Sequence, residues 1–95
     1  GPPGFQRLAQ GREEAFIFLV CALGRSEQGI GRGTLLRLAR EEGLPLTEQE
    51  IRDMLHALHG LGLVSVSRGR GGSRLTRSGQ QLCQQLYDSF NKQVK

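Results

Sequence analysis

The residues best equipped for chemistry in this 95-residue chain are arginines gathered where acids are absent. From Ser67 to Gln80 the chain carries Arg68, Arg70, Arg74 and Arg77 and no Asp or Glu, with Gly69, Gly71 and Gly72 set among them. A guanidinium group donates paired hydrogen bonds in a planar fork that fits two phosphate oxygens or the edge of a guanine. Glycine removes the side chains that would hold a loop away from a sugar–phosphate strand. The formal charge is +4, and with those four arginines set aside the basic residues equal the nine acidic ones. The excess is therefore a local patch able to meet a polyanion. The plainer alternative is a solvated hairpin whose arginines serve solubility.

A second set of candidates lies upstream. Gln49, Arg52 and His56 fall on the outward side of one helical stretch, where an amide can pair with adenine and a guanidinium with guanine. Glu48, Glu50 and Asp53 on the same stretch oppose this, because they bring negative charge toward phosphates, and Arg52 can equally pair with Glu48 across one turn. Arg32 and Arg37 are placed to touch a nucleic-acid backbone, or else to pair with Glu41 or Glu42. His56 and His59, three residues apart, lack the further ligands that would complete a metal site, so neither metal nor cofactor is expected. The chain has no phosphate-binding loop, no serine or cysteine nucleophile beside a histidine, and no apolar-embedded pair of acids; the expectation is that it is not an enzyme.

The elements that position these residues can be read from periodicity. Ala15, Phe16, Leu19, Val20 and Leu23 recur at helical steps between Arg12 and Gly24, with Glu13 and Glu14 in the first turn. A second helix begins near Gly33 or Thr34 and stops at Gly43. Thr47-Glu48-Gln49-Glu50 is a capping box and opens a third helix, which Gly60-Leu61-Gly62 closes. Leu63 to Ser67 alternates as a strand with Val64 and Val66 on one face, Arg68 to Ser73 forms a hairpin tip, and Arg74 to Thr76 returns. Ile30 is placed as a one-residue edge strand. After Thr76 a helix at about 77–92 carries Leu82, Cys83, Leu86, Tyr87 and Phe90 in an apolar band. Residues 1–11 are expected to be disordered or tag-derived, and residues 12–95 to form the domain. The predicted fold is mainly α with a small β-hairpin, in the order of a winged helix-turn-helix: a three-helix core, a wing and a long C-terminal helix.

Gly69-Arg70-Gly71-Gly72-Ser73-Arg74-Leu75-Thr76-Arg77-Ser78-Gly79-Gln80-Gln81-Leu82, with the upstream Leu55, Leu58, Leu61-Gly62-Leu63-Val64, resembles the wing and its flanks in bacterial and archaeal winged-helix regulators. The likeness spans about the last half of the chain and is strongest to the DNA-binding domain of molybdate-responsive ModE-type regulators. It implies a third helix offered to the major groove and a wing along the backbone or minor groove. The segment from Gly33 to Gly60 departs from the ModE pattern, so molybdate sensing is not implied. Similar domains also bind RNA or protein, and both remain as alternatives: a structured-RNA module, or a protein-interaction module within a larger complex.

Double-stranded DNA is thus the expected partner, and transcription regulation the expected role. A homodimer is also expected, through Cys83, Tyr87 and Val94 on the last helix. Cys21 and Cys83 sit in apolar helical patterns, which fits a reducing cytoplasm, or a bacterial nucleoid if the source is prokaryotic. No apolar run is long enough to span a bilayer, and no membrane partner is expected.

Overall fold

Seven elements follow one another in the computed structural model, which describes residues 3–94: α1 (Pro3–Ala9), α2 (Glu13–Gly24), α3 (Arg32–Glu41), α4 (Glu48–Gly60), β1 (Val64–Val66), β2 (Ser73–Leu75) and α5 (Arg77–Val94). The domain is mainly helical with one two-stranded antiparallel hairpin. No helix among the described residues is long and apolar enough to cross a membrane.

The hub is α2. Its sequence is apolar on nearly every side, and Phe18 and Ala22 are buried as well as the stripe through Phe16, Leu19, Val20 and Leu23. A helix of that kind must be covered all round, and α1, α3, α5 and β2 all pack on it. The covering by α1 corrects the expectation that residues 1–11 lie outside the fold. Phe5 is only 5% exposed, Ala9 is buried, and the Phe5 ring meets Phe16 edge to face at 6.4 Å. Phe5, Leu8 and Ala9 share one face at helical spacing, but two turns are too short to show as periodicity. Gly1 and Pro2, the start of that segment, lie outside the described residues.

Local chemistry accounts for the remaining boundaries. Thr47 Oγ1 accepts from the backbone N–H of Glu50 at 3.0 Å and the Glu50 carboxylate accepts from Thr47 N–H at 2.9 Å, so both halves of the capping box are made. Gly43 and Gly62 take positive φ after α3 and α4, as left-handed turns require. His59 Nδ1 lies 2.9 Å from the Val64 carbonyl oxygen; a carbonyl only accepts, so the imidazole donates and ties the end of α4 to β1. Thr76 Oγ1 donates to the Gly62 carbonyl at 2.6 Å and accepts from Gly79 N–H at 3.1 Å, which starts α5 and fixes it to the turn before β1.

In the hairpin Val64 faces Leu75, Ser65 faces Arg74 and Val66 faces Ser73. Ile30 adds the single edge bridge expected of it, exchanging two backbone hydrogen bonds with Ser73 at 2.8 and 2.9 Å. Val66 does not join Val64 in the core: it is 39% exposed, on the wall of an open cleft between α4 and the hairpin. The apolar band of α5 divides likewise. Leu82 and Cys83 are buried, Leu86 is half-buried, and Tyr87 and Phe90 are exposed. Cys83, expected on a dimer surface, is 6% exposed and packs into the space that the missing side chain of Gly24 leaves. Tyr87 stays at the surface, and the side chain of Val94 lies outside the described residues.

Candidate nucleic-acid interface

Between the start of α3, the outer face of α4 and the hairpin tip runs an open cleft of about 480 Å³. Arg32 enters it from the first residue of α3, Arg52 and His56 from α4, and Arg68 and Arg70 from the tip, while Glu48 is the one carboxylate on its walls. Arg52 and His56 share a face because they are four residues apart on a helix. Arg32 lies within reach of the hairpin because Ile30, two residues earlier, is pinned to Ser73. The tip closes through Ser67, whose N–H donates to the Gly72 carbonyl at 2.9 Å and whose hydroxyl accepts from Gly69 N–H at 3.2 Å.

The hairpin glycines serve different ends. Gly69 and, across the cleft, Gly31 and Gly33 face open space, so a ligand can approach the backbone there. Gly72 is different: its φ is +71°, and an added Cβ would stand 2.5 Å from the carbonyl carbon of Ile30. Its role is close packing within the fold. Gly31, the N-cap of α3, has no side-chain acceptor for the first helical N–H groups, which leaves a partly positive helix end at the cleft wall.

The two ion pairs among the described residues are Arg12–Glu50 and Arg37–Glu41, each at 2.9 Å. None of the four cleft arginines takes part in either. Of the acids opening α4, Glu50 is held by Thr47 and paired with Arg12, Asp53 accepts from the neutral Gln49 amide at 2.9 Å and keeps its charge, and Glu48 faces the cleft. Thr47 holds the Glu50 carboxyl below its ordinary pKa, chiefly through its backbone N–H and then its hydroxyl, with Arg12 adding to the effect. The cleft therefore carries four guanidinium groups against one carboxylate.

Of the residues singled out in the sequence, Arg32, Arg52, His56, Arg68 and Arg70 come together here. Arg74 does not: Ser73 and Leu75 point inward, so Arg74 faces the other way, into a smaller hollow beside Glu27. Arg77, at the start of α5, lines neither space. Arg37 is paired with Glu41, and Gln49 lies off the cleft with its amide bound to Asp53. The Arg52–Glu48 ion pair weighed from spacing is not formed. The cleft also has an apolar side in Leu55 and Val66, which the charge pattern did not mark. Among the described residues no group of three or more His, Cys, Asp or Glu side chains is placed to hold a metal ion. No known protein family, curated protein or solved structure matches the chain.

Proposed function

We propose that the chain is a winged helix-turn-helix module that binds double-stranded DNA without catalysing a reaction, and that it serves transcription regulation. The observation that carries this reading is the cleft between α4 and the hairpin, lined by Arg32, Arg52, Arg68 and Arg70. In B-form DNA one ridge of phosphates separates the major groove from the next minor groove. A helix seated in the major groove and a hairpin laid along the minor groove must straddle that ridge. The space between α4 and the tip is where the ridge then lies, and its walls hold four cations. Arg52 meets that ridge from the α4 side, His56 beside it is offered to base edges, and Arg32 with the start of α3 meets the backbone.

The acids of α4, which favour a protein partner when the sequence alone is read, weigh less once Glu50 is seen paired with Arg12 and Asp53 lies outside the cleft lining. Double-stranded RNA fits less well, because the deep, narrow major groove of the A-form excludes a helix.

Four phosphates neutralised by four arginines give a log–log salt slope of about −3 to −4. Affinity for a short random-sequence duplex, followed by fluorescence anisotropy, should then fall roughly hundredfold between about 50 and about 200 mM salt. An RNA hairpin should compete poorly. Salt-independent binding, or preferential binding of the hairpin, would overturn the proposal.

A further inference from the structure

A second surface shares no residue with the arginine cleft. Along the seam of α2 and α5 runs an apolar strip with an open hollow of about 450 Å³, walled by Ile17, Phe18, Leu44, Leu86, Tyr87 and Phe90. Tyr87 is 40% and Phe90 58% exposed, on one face of the same helix and one turn apart. Aromatic side chains adjoining a hollow are the surface that buries well against a partner.

The charges at its ends decide what that partner is. Helices α2 and α5 run antiparallel: Gly24 lies against Cys83, and seven residues earlier Ile17 meets Leu86. Arg25, just past α2, therefore stands at the Cys83 end of the strip, and Glu14, in the first turn of α2, at the Phe90 end. The two are eleven positions apart, about 16 Å of helix. Neither is in an ion pair of the described residues. The strip thus has an apolar middle with its one cation, Arg25, at one end and Glu14 at the other, and Glu42, at the end of α3, is a second carboxylate on its wall.

We infer that this strip docks a second copy of the chain in a two-fold dimer whose α5 helices pack antiparallel. A two-fold axis lying across the strip reverses one copy against the other. Arg25 of each then faces Glu14 of its mate, while the exposed aromatics of both are buried between the two copies. An axis along the strip sets Arg25 against Arg25 and Glu14 against Glu14, so the charges select the antiparallel arrangement. This contact replaces the one expected from the sequence: Tyr87 and Phe90 carry it, and Cys83 is buried beneath.

The test is sedimentation equilibrium of the whole chain from about 1 to about 200 µM without nucleic acid, so its outcome is separate from that of the DNA reading. Wild type should dimerise reversibly. Phe90→Glu should weaken the dimer at least about thirtyfold and, lying at the surface, leave the circular dichroism spectrum unchanged. Arg25→Glu should weaken it about tenfold, and adding Glu14→Arg should restore it. A monomer at every concentration overturns the inference, whatever other protein the strip binds. A dimer indifferent to Phe90→Glu overturns it too, and failure of the double reversal to restore association overturns the antiparallel arrangement.

Discussion

Gly72→Ala tests whether the hairpin is set by packing against the helices or is a free-standing flexible tip. At φ +71° an L side chain costs roughly 1–2 kcal/mol over glycine. The new Cβ would also stand 2.5 Å and 2.6 Å from the carbonyl carbon and oxygen of Ile30, atoms that cannot swing aside as a side chain does. Relief requires Ile30 and Ser73 to separate, and their two backbone hydrogen bonds at 2.8 and 2.9 Å are each worth about 1 kcal/mol net. The sum is about 3–4 kcal/mol, a large share of the stability of a domain this size, and it corresponds to a melting point lower by roughly 15–25 °C. Urea unfolding followed by far-UV circular dichroism measures it. Gly69→Ala is the control: nothing stands within 4 Å of its Cβ and its φ is not positive, so it should stay within about 0.5 kcal/mol of wild type. If Gly72→Ala unfolds within about 0.5 kcal/mol of wild type, Ile30 and Ser73 are not joined as described, and the wall of the cleft between Arg32 and the tip loses its support.

Phe5→Ala should lower stability by about 2–4 kcal/mol in the same assay, the range for a buried aromatic whose helix can loosen in part; no change would mean that α1 does not cover Phe16 in solution. Glu50→Gln keeps an acceptor for Thr47 N–H but removes the titration. Because the folded carboxyl lies below its ordinary 4.5, its contribution is complete above about pH 4.5 and is lost as pH falls through the lowered value. The variant should therefore lose less stability on acidification than wild type, and parallel stability–pH curves would refute this. On DNA, Arg52→Ala or Arg68→Ala should make the salt slope shallower by about 0.9 each, whereas Arg74→Ala, outside the cleft, should leave it unchanged. Equal effects at all three positions would mean that the charge acts as a diffuse field.

Signals that are local in the chain were legible in advance. The Thr47 capping box, the Thr76 cap and the hairpin each depend on residue types within a few positions, and each forms where the sequence places it to within a residue; Ile30 also anchors as expected, although its partner Ser73 is distant in the chain. The roles that went unread depend on distant partners. Gly72 must be glycine because of Ile30, forty-two residues earlier, so the sequence alone offers only approach to a ligand as a reason for it. Glu50 looked like an acid turned toward a polyanion until Arg12, thirty-eight residues before it, was found beside it. The division of the arginines was partly available: Ser73 and Leu75 face inward, so simple alternation turns Arg74 to the side away from the core. The long helix shows the same limit, since helical spacing drew its apolar band correctly but could not say that Gly24 covers Cys83 while Phe90 stands free.

The most direct test of nucleic-acid binding in the cleft is a titration of the ¹⁵N-labelled chain with a short random-sequence DNA duplex at low salt, followed through backbone amide and arginine side-chain resonances. The account predicts shifts concentrated at Gly31 to Thr34, Arg52 to His56 and Ser67 to Gly72, with the seam from Ile17 to Arg25 and Leu86 to Asn91 undisturbed. Shifts confined to that seam, or none at all while the duplex stays free, would contradict it.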